Sequence, residues 1–442
     1  MGATANKPAA PDTSMGAAMD RIFKLLDTGS FVELSQMVEC GVVTGYGTVD
    51  GRLVYVYSQY GAANAAHAGK IAKLYAAAMQ MGAPVVALLA SSGIALAEGM
   101  QVLDAYGRIF SCMADASGVI PQIAVIAGRC MGTAAYIPAL SDFVIAIEPD
   151  ACLLSESPAA VRDEAAKTAV GTALGGAQAS AEAGLSHFTA AGTNEAMCLV
   201  QELLAYLPSN NLDEAPIGMF IDDIPRTEAA FASADLSVYD IINNLADNQR
   251  FLEYKKAHAP AMVTGFARIN GFSVGILANN GALDAAGCDK AAGFVQFCDA
   301  FSIPLVSLNA AAAYQTDLAA QKATLKSAAG LLFAFAQATV PRISILIGEA
   351  YGGPYLLMNS AHIGADITFA WDRANVSAMR PEAAEKVLAA KLSSNPEQAA
   401  EAGFIDQIIR PVDTRNLLIA SLEMLNSKRA ARHAKKHGSM WS

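Results

Sequence analysis

Val43-Thr44-Gly45-Tyr46-Gly47-Thr48-Val49-Asp50-Gly51 occurs twice in this chain, the second time as Val263-Thr264-Gly265-Phe266-Ala267-Arg268-Ile269-Asn270-Gly271. Each copy runs through β-branched and aromatic residues into Asp-Gly or Asn-Gly. That is the pattern of a strand entering a two-residue hairpin turn. The offset is 265 − 45 = 220 residues, and it also carries Lys70 to Lys290, Pro84 to Pro304, Pro121 to Pro341 and Gly132 to Gly352. One register held over 132 − 45 = 87 residues marks a duplicated globular unit, because the period is far too long for a solenoid. Two domains of about 200 residues also suit the length of the chain. The expected limits are 14–235 and 236–442, with Pro208, Pro216 and Pro225 marking the connection.

Working outward from the hairpins, the pattern predicts a short amphipathic helix over 17–26, then a helix over 62–81, a strand over 84–89, a helix over 98–114 and a strand over 121–127. Residues 174–188 read as loop and turn, and 195–207 as a helix with Thr193 or Asn194 as its N-cap. The second copy reads as helices over 239–252, 289–301 and 318–338, with strands over 304–308 and 341–347. Strands alternating with helices predict an α/β fold with mainly parallel strands.

Hydrophobic residues make up 53% of the chain and charged residues 16%. The excess is largely Ala, and the longest apolar runs are strand-length, well below the ~20 residues of a membrane span. So much apolar surface predicts a soluble protein that oligomerises. A formal net charge of −11 argues against a nucleic-acid surface. The basic run from Lys428 to His437 reads as a solvated tail or helix end, or else as a contact to phosphate or a partner. Seven Cys without a CxxC pair argue against a disulfide framework and a zinc site, and they fit a cytoplasmic protein. The opening residues carry no secretory signal pattern.

No HExxH, GxSxG or strand-borne GxGxxG is present, and the six His are dispersed. His187 and His362 read as structural. The informative features are two Gly-rich turns, Gly128-Arg129-Cys130-Met131-Gly132-Thr133 and Gly348-Glu349-Ala350-Tyr351-Gly352-Gly353, each following a strand that starts at Pro. A strand that turns through glycine into a helix leaves backbone N–H groups unpaired. Two such donors aimed at one point stabilise an oxyanion or an enolate. The same glycines would also serve tight strand–helix packing alone.

Several long motifs, in order, resemble one family over essentially the whole chain. They include Ile22-Phe23-Lys24-Leu25-Leu26-Asp27-Thr28-Gly29, Leu203-Leu204-Ala205-Tyr206-Leu207-Pro208-Ser209-Asn210-Asn211, Phe297-Cys298-Asp299-Ala300-Phe301 and Ala350-Tyr351-Gly352-Gly353. The family is the carboxyltransferase component of biotin-dependent acyl-CoA carboxylases and decarboxylases. The resemblance implies two tandem crotonase-like (ClpP/crotonase) ββα-superhelix domains, the first (14–235) on the acyl-CoA side and the second (236–442) on the biotin side. It implies a homo- or hetero-hexamer of carboxyltransferase chains. Partners would be a biotin carboxyl carrier protein and biotin carboxylase or membrane decarboxylase-pump subunits. The chain has no Met-Lys-Met attachment pattern, so biotin would arrive on a separate protein, and no metal is expected.

On this mapping Gly132 and Thr133 hold the thioester carbonyl of the acyl-CoA, Gly352 and Gly353 lie against the biotin ureido oxygen, and Gly93, Ile94 and Tyr314 line the substrate sites. Lys70 and Lys290 read as exposed helix lysines or as contacts to CoA phosphate. Against the family pattern, Thr133 replaces a glycine, Ala312-Ala313-Tyr314 replaces Pro-Gly-Phe, and Pro354 lacks the N–H that a small residue would offer. These departures leave a second reading beside the enzyme: a non-catalytic paralogue that scaffolds or regulates an active subunit.

Overall fold

The computed structural model describes residues 14–91, 95–156, 175–218, 228–231, 233, 236–311, 313–314, 321–388 and 393–436. The chain divides into two compact units, Met1–Asp213 and Glu214–Ser442. The division falls within the connection marked by Pro208, Pro216 and Pro225. The connecting segment belongs with the second unit: Gly218 N donates to Gly271 O at 3.0 Å, and Phe231 packs edge-on against Trp371.

The duplication governs the topology of each unit. The first sheet contains β1 (Val32–Leu34), β2 (Val42–Val49), β3 (Arg52–Gln59), β4 (Val85–Leu89), β5 (Gln122–Ile126), β7 (Phe143–Ile147) and β9 (Phe188–Ala190), hydrogen-bonded in that order. A separate short pair joins β6 (Arg129–Met131) to β8 (Cys152–Leu154). The second sheet repeats the order with β10 (Phe251–Tyr254), β11 (Met262–Ile269), β12 (Phe272–Asn279), β13 (Leu305–Asn309), β14 (Arg342–Leu346), β16 (Ile367–Trp371) and β18 (Gln407–Ile409). Its short pair is β15 (Glu349–Tyr351) with β17 (Asn375–Ser377). In both sheets the first three strands are antiparallel and the rest parallel, as the strand–helix alternation predicts.

Both quoted hairpins form. Asp50-Gly51 and Asn270-Gly271 all have positive φ, which a two-residue turn matched to strand twist requires. Each turn is pinned by an aspartate from the preceding helix end. Asp27 accepts the amides of Asp50 and Gly51 at 3.0 and 2.9 Å, and Asp247 accepts those of Asn270 and Gly271 at 2.9 and 2.8 Å. The helices Ala65–Met81 and Ala285–Ala300 begin at equivalent side-chain caps, Asn64 and Asp284.

Four expectations are corrected. Residues 177–190 form a helix, Ala177–Glu182, and β9, because Ala177 and Ala181 bury against the first sheet. The helix Thr193–Tyr206 has Gly192 as its N-cap, and Glu195 takes over by accepting the Ala191 amide at 2.7 Å. The helix beginning at Val238 stops at Leu245, since Asn248 and Gln249 adopt positive φ and the chain leaves as β10. Lys70 and Lys290 are buried, not exposed. Lys70 Nζ donates to Val38 O and Val42 O (3.3 and 3.0 Å), and Lys290 Nζ to Lys255 O and His258 O (2.9 and 3.0 Å).

The basic C-terminal run docks on its own domain. Lys428 pairs with Asp366 at 2.7 Å, Arg432 donates to Ala338 O at 3.0 Å, and Lys435 reaches the Gln337 side chain. Arg432 and Lys435 meet the carbonyl end of the helix Gln321–Gln337, where positive charge is favoured. Each domain has its own apolar core between sheet and helices. No helix among the described residues is long and apolar enough to cross a membrane.

Candidate active site at two glycine corners

In each domain the parallel strand that begins after Pro turns through a short outlying strand and a glycine into a short helix. The first corner runs from β5 through β6 to Gly132, then a 3-10 turn, Gly132–Ala135, and the helix Tyr136–Leu140. The second runs from β14 through β15 to Gly352, which opens the corner helix Gly352–Leu357. Gly132 has φ +63° and Gly352 φ +56°, a backbone state that costs other L-residues roughly 1–2 kcal/mol. The glycines at this offset therefore answer one local demand: the chain must reverse hand where strand becomes helix.

Thr133 and Gly353 each stand second in their helical turns, where an amide has no partner inside the helix. Gly132 and Thr133 are half-buried, and Gly353 is exposed. A Cβ built on Gly132 would meet nothing within 4 Å, so open space faces that corner. A Cβ on Gly353 would lie 2.8 Å from the Tyr314 hydroxyl, which sets Tyr314 directly against the second corner. Burial holds the Tyr314 phenol above its ordinary range. Pro354 occupies the third helical position and is buried. Its missing N–H falls in the first turn, where Pro is tolerated. Gly93 and Ile94 lie outside the described residues.

A cleft of about 480 Å³ opens beside the second corner, lined in part by Gly352, Gly353, Tyr355, His362, Ser377 and Phe404. His362 touches Phe404 in a tilted contact and Tyr355 edge-on, at 4.2 and 5.6 Å between ring centres. The sequence treated His362 as structural and did not single out Tyr355, Ser377 or Phe404. Only folding brings 355, 377 and 404 to one wall, so no local signal marks them. His187, by contrast, accepts the Val144 amide at 3.2 Å and serves the first sheet.

The surroundings of the corners are poor in acid–base groups. Among the described residues no carboxylate or amine lines the cleft. Burial pushes the Cys130 thiol, two residues before Gly132, up to about 12, and the Tyr355 phenol also up to about 12. No cluster of His, Cys, Asp and Glu suited to a metal occurs among the described residues. The corners can therefore offer oriented backbone amides to an anionic oxygen, which is electrostatic stabilisation without proton transfer from a side chain.

The carboxyl transferase domain matches residues 14–393. The chain belongs to the carboxyl transferase family. As a carboxyltransferase it is 37% identical to the methylmalonyl-CoA decarboxylase subunit alpha of Veillonella parvula, covering 96% of this chain and 92% of that one. It is 36% identical to the propionyl-CoA carboxylase beta chain of Saccharopolyspora erythraea, covering 96% and 90%. Its fold matches the transcarboxylase 12S crystal structure with a TM-score of 0.92 and 34% identity, over 96% of this chain and 92% of that one. That structure is described as a hexamer assembly with methylmalonyl-coenzyme A and methylmalonic acid bound. The tandem crotonase-like architecture and the carboxyltransferase function expected from the sequence are those of this family.

Proposed function

We propose that this carboxyltransferase moves a carboxyl group between biotin and the α-carbon of an acyl-CoA thioester. The observation that carries the reading is the repeated corner: a left-handed glycine followed by an amide with no partner inside its own helix, at Gly132-Thr133 and again at Gly352-Gly353. The Gly132 and Thr133 amides would receive the thioester oxygen as the α-carbon becomes nucleophilic. Gly352 and Gly353 would receive the ureido oxygen of biotin, with Tyr314 beside them. A cleft of about 480 Å³ with an exposed Gly353 at its edge fits a small bicyclic group. Biotin supplies a transferable carboxyl group when bound; the chain supplies aimed amides and an apolar wall. The first domain would take the acyl-CoA side and the second domain the biotin side.

The named relatives favour methylmalonyl- or propionyl-CoA as the acyl partner. Biotin would come on a separate carrier protein, and the working unit would be an oligomer of carboxyltransferase chains in the cytoplasm, with biotin carboxylase or membrane-pump subunits as further partners. Pro354 supports one competing reading, a scaffold that binds CoA esters without transferring carboxyl groups. Purified protein should exchange carboxyl between methylmalonyl-CoA and free biotin. CoA-ester binding without any exchange would leave the scaffold in place of the enzyme.

A further inference from the structure

β13 ends in Asn309, which is fully buried, whereas Leu89, 309 − 89 = 220 residues earlier, ends β4 as an equally buried hydrocarbon. An amide taken from water into a core is costly unless its polar atoms find partners. Asn309 finds them on both sides of the second corner. Its Oδ1 accepts the Ala311 amide at 3.0 Å, and its Nδ2 donates to Tyr355 O and Met358 O, each at 3.3 Å. Those carbonyls lie at the end of the corner helix, where Tyr355 O also accepts the Met358 amide at 3.3 Å. Ser307 Oγ also reaches Met358 O, at 3.4 Å, and Asn359 Nδ2 donates to Ser307 Oγ at 3.2 Å. Ala311 O in turn accepts the amide of Tyr351, the residue before Gly352, at 3.2 Å. Asn309 thus touches both the segment leading to Tyr314 and the far end of the helix that Gly352 opens.

A helix of six residues is too short to hold its own direction. Its aim is set by what grips its ends. We infer that Asn309 is a positioning residue for carboxyl transfer, fixing the corner helix against β13 so that the Gly353 amide keeps its direction. The inference rests on the proposed role of Gly352 and Gly353.

The test is Asn309→Leu, which installs the side chain of the equivalent first-domain position, in the full-length protein. Exchange of carboxyl between methylmalonyl-CoA and free biotin should lose about 10-fold in kcat or more. KM for the CoA ester should stay within about twofold, because only the second corner is disturbed. Backbone amide hydrogen exchange should quicken across 351–358 and stay unchanged across 129–136. Asn309→Asp keeps the acceptor and loses both donors; it should quicken the same segment, and it serves if the leucine variant does not fold. Wild-type kcat, unchanged amide exchange at 351–358, or an equal loss of CoA-ester affinity would each overturn the inference. A wild-type protein without carboxyl exchange would instead sink the proposed function, and the hydrogen-exchange comparison would still judge the grip of Asn309.

Discussion

Asp27→Ala and Asp247→Ala make the same chemical cut in the two domains, and they should cost very different amounts. Each aspartate holds two amides of its hairpin turn, in the same order and at nearly the same distances. The surroundings differ. Asp27 is half-buried and accepts the Thr48 hydroxyl at 2.6 Å, whereas Asp247 is 4% exposed and lies 2.6 Å from Nη2 of Arg415, itself 12% exposed. Arg415 Nη1 also donates to Leu245 O, at the end of the preceding helix. Removing the carboxylate leaves a guanidinium facing a cavity, and breaking a buried pair in this way costs about 3–5 kcal/mol. For a domain of this size the melting temperature should fall by about 6–20 °C. The buried Trp371 lies in the second unit, and no tryptophan occurs among residues 1–213, so the tryptophan transition during heating reports the second unit. Far-ultraviolet dichroism follows both. The Asp27 variant should shift the tryptophan transition little and the other transition modestly, since it frees only the neutral Thr48 hydroxyl and two exposed amides and leaves no buried charge. The double variant Asp247→Ala, Arg415→Leu should recover part of the loss, because it leaves no charge unpaired. Equal shifts for the two single variants, or strict additivity in the double, would refute the claim that burial and not the shared turn sets the cost.

Three further outcomes can be checked. Gly353→Ala should fold normally, because the Tyr314 hydroxyl it would meet is the far end of a movable side chain, yet the filled corner should cut biotin-dependent exchange by at least about 10-fold. Burial first, and Lys255 nearby, bring the Lys290 amine down to about 8, with Glu253 and Asp284 opposing. Between that value and the ordinary ~10.4 the unfolded chain holds more protons, so stability should rise with pH through this window. A urea midpoint that rises equally in Lys290→Met would assign the effect elsewhere. Burial raises the Asp142 carboxyl to about 7, against the Gln122 amide it accepts. The folded chain then binds the extra proton, so this group's contribution to stability is complete below the unfolded carboxyl range and is lost as pH rises through 7, and Asp142→Asn should remove that part of the slope.

The candidate site was readable in part. Gly132, Gly352 and the residues after them were marked by composition and offset, because a strand that turns into a helix through a left-handed residue demands glycine wherever it occurs. Asp27 and Asp247 carried the same signal, 247 − 27 = 220, and could have been found by extending the register upstream. His362 and Phe404 had no comparable mark. The lysine pair was legible as a repeat and misjudged in environment: four methylenes and an amine on a helix look alike whether the head meets water or the carbonyls of a folded-back loop.

What the sequence determined by itself is the duplication, the hairpin turns and the two glycine corners. Each is a demand on φ made by adjacent peptide units, and such demands are met by residue type at fixed spacing. What only the tertiary structure decided is which of those repeated marks became different. Asp247 found the charged Arg415 where Asp27 found the neutral Thr48 hydroxyl; Asn309 gained carbonyls to hold where Leu89 has only core; the basic tail folded back onto a helix end. Burial and hydrogen-bond partnership are set by residues distant in the chain, so identical local patterns acquire their separate energies only when the sheets close around them.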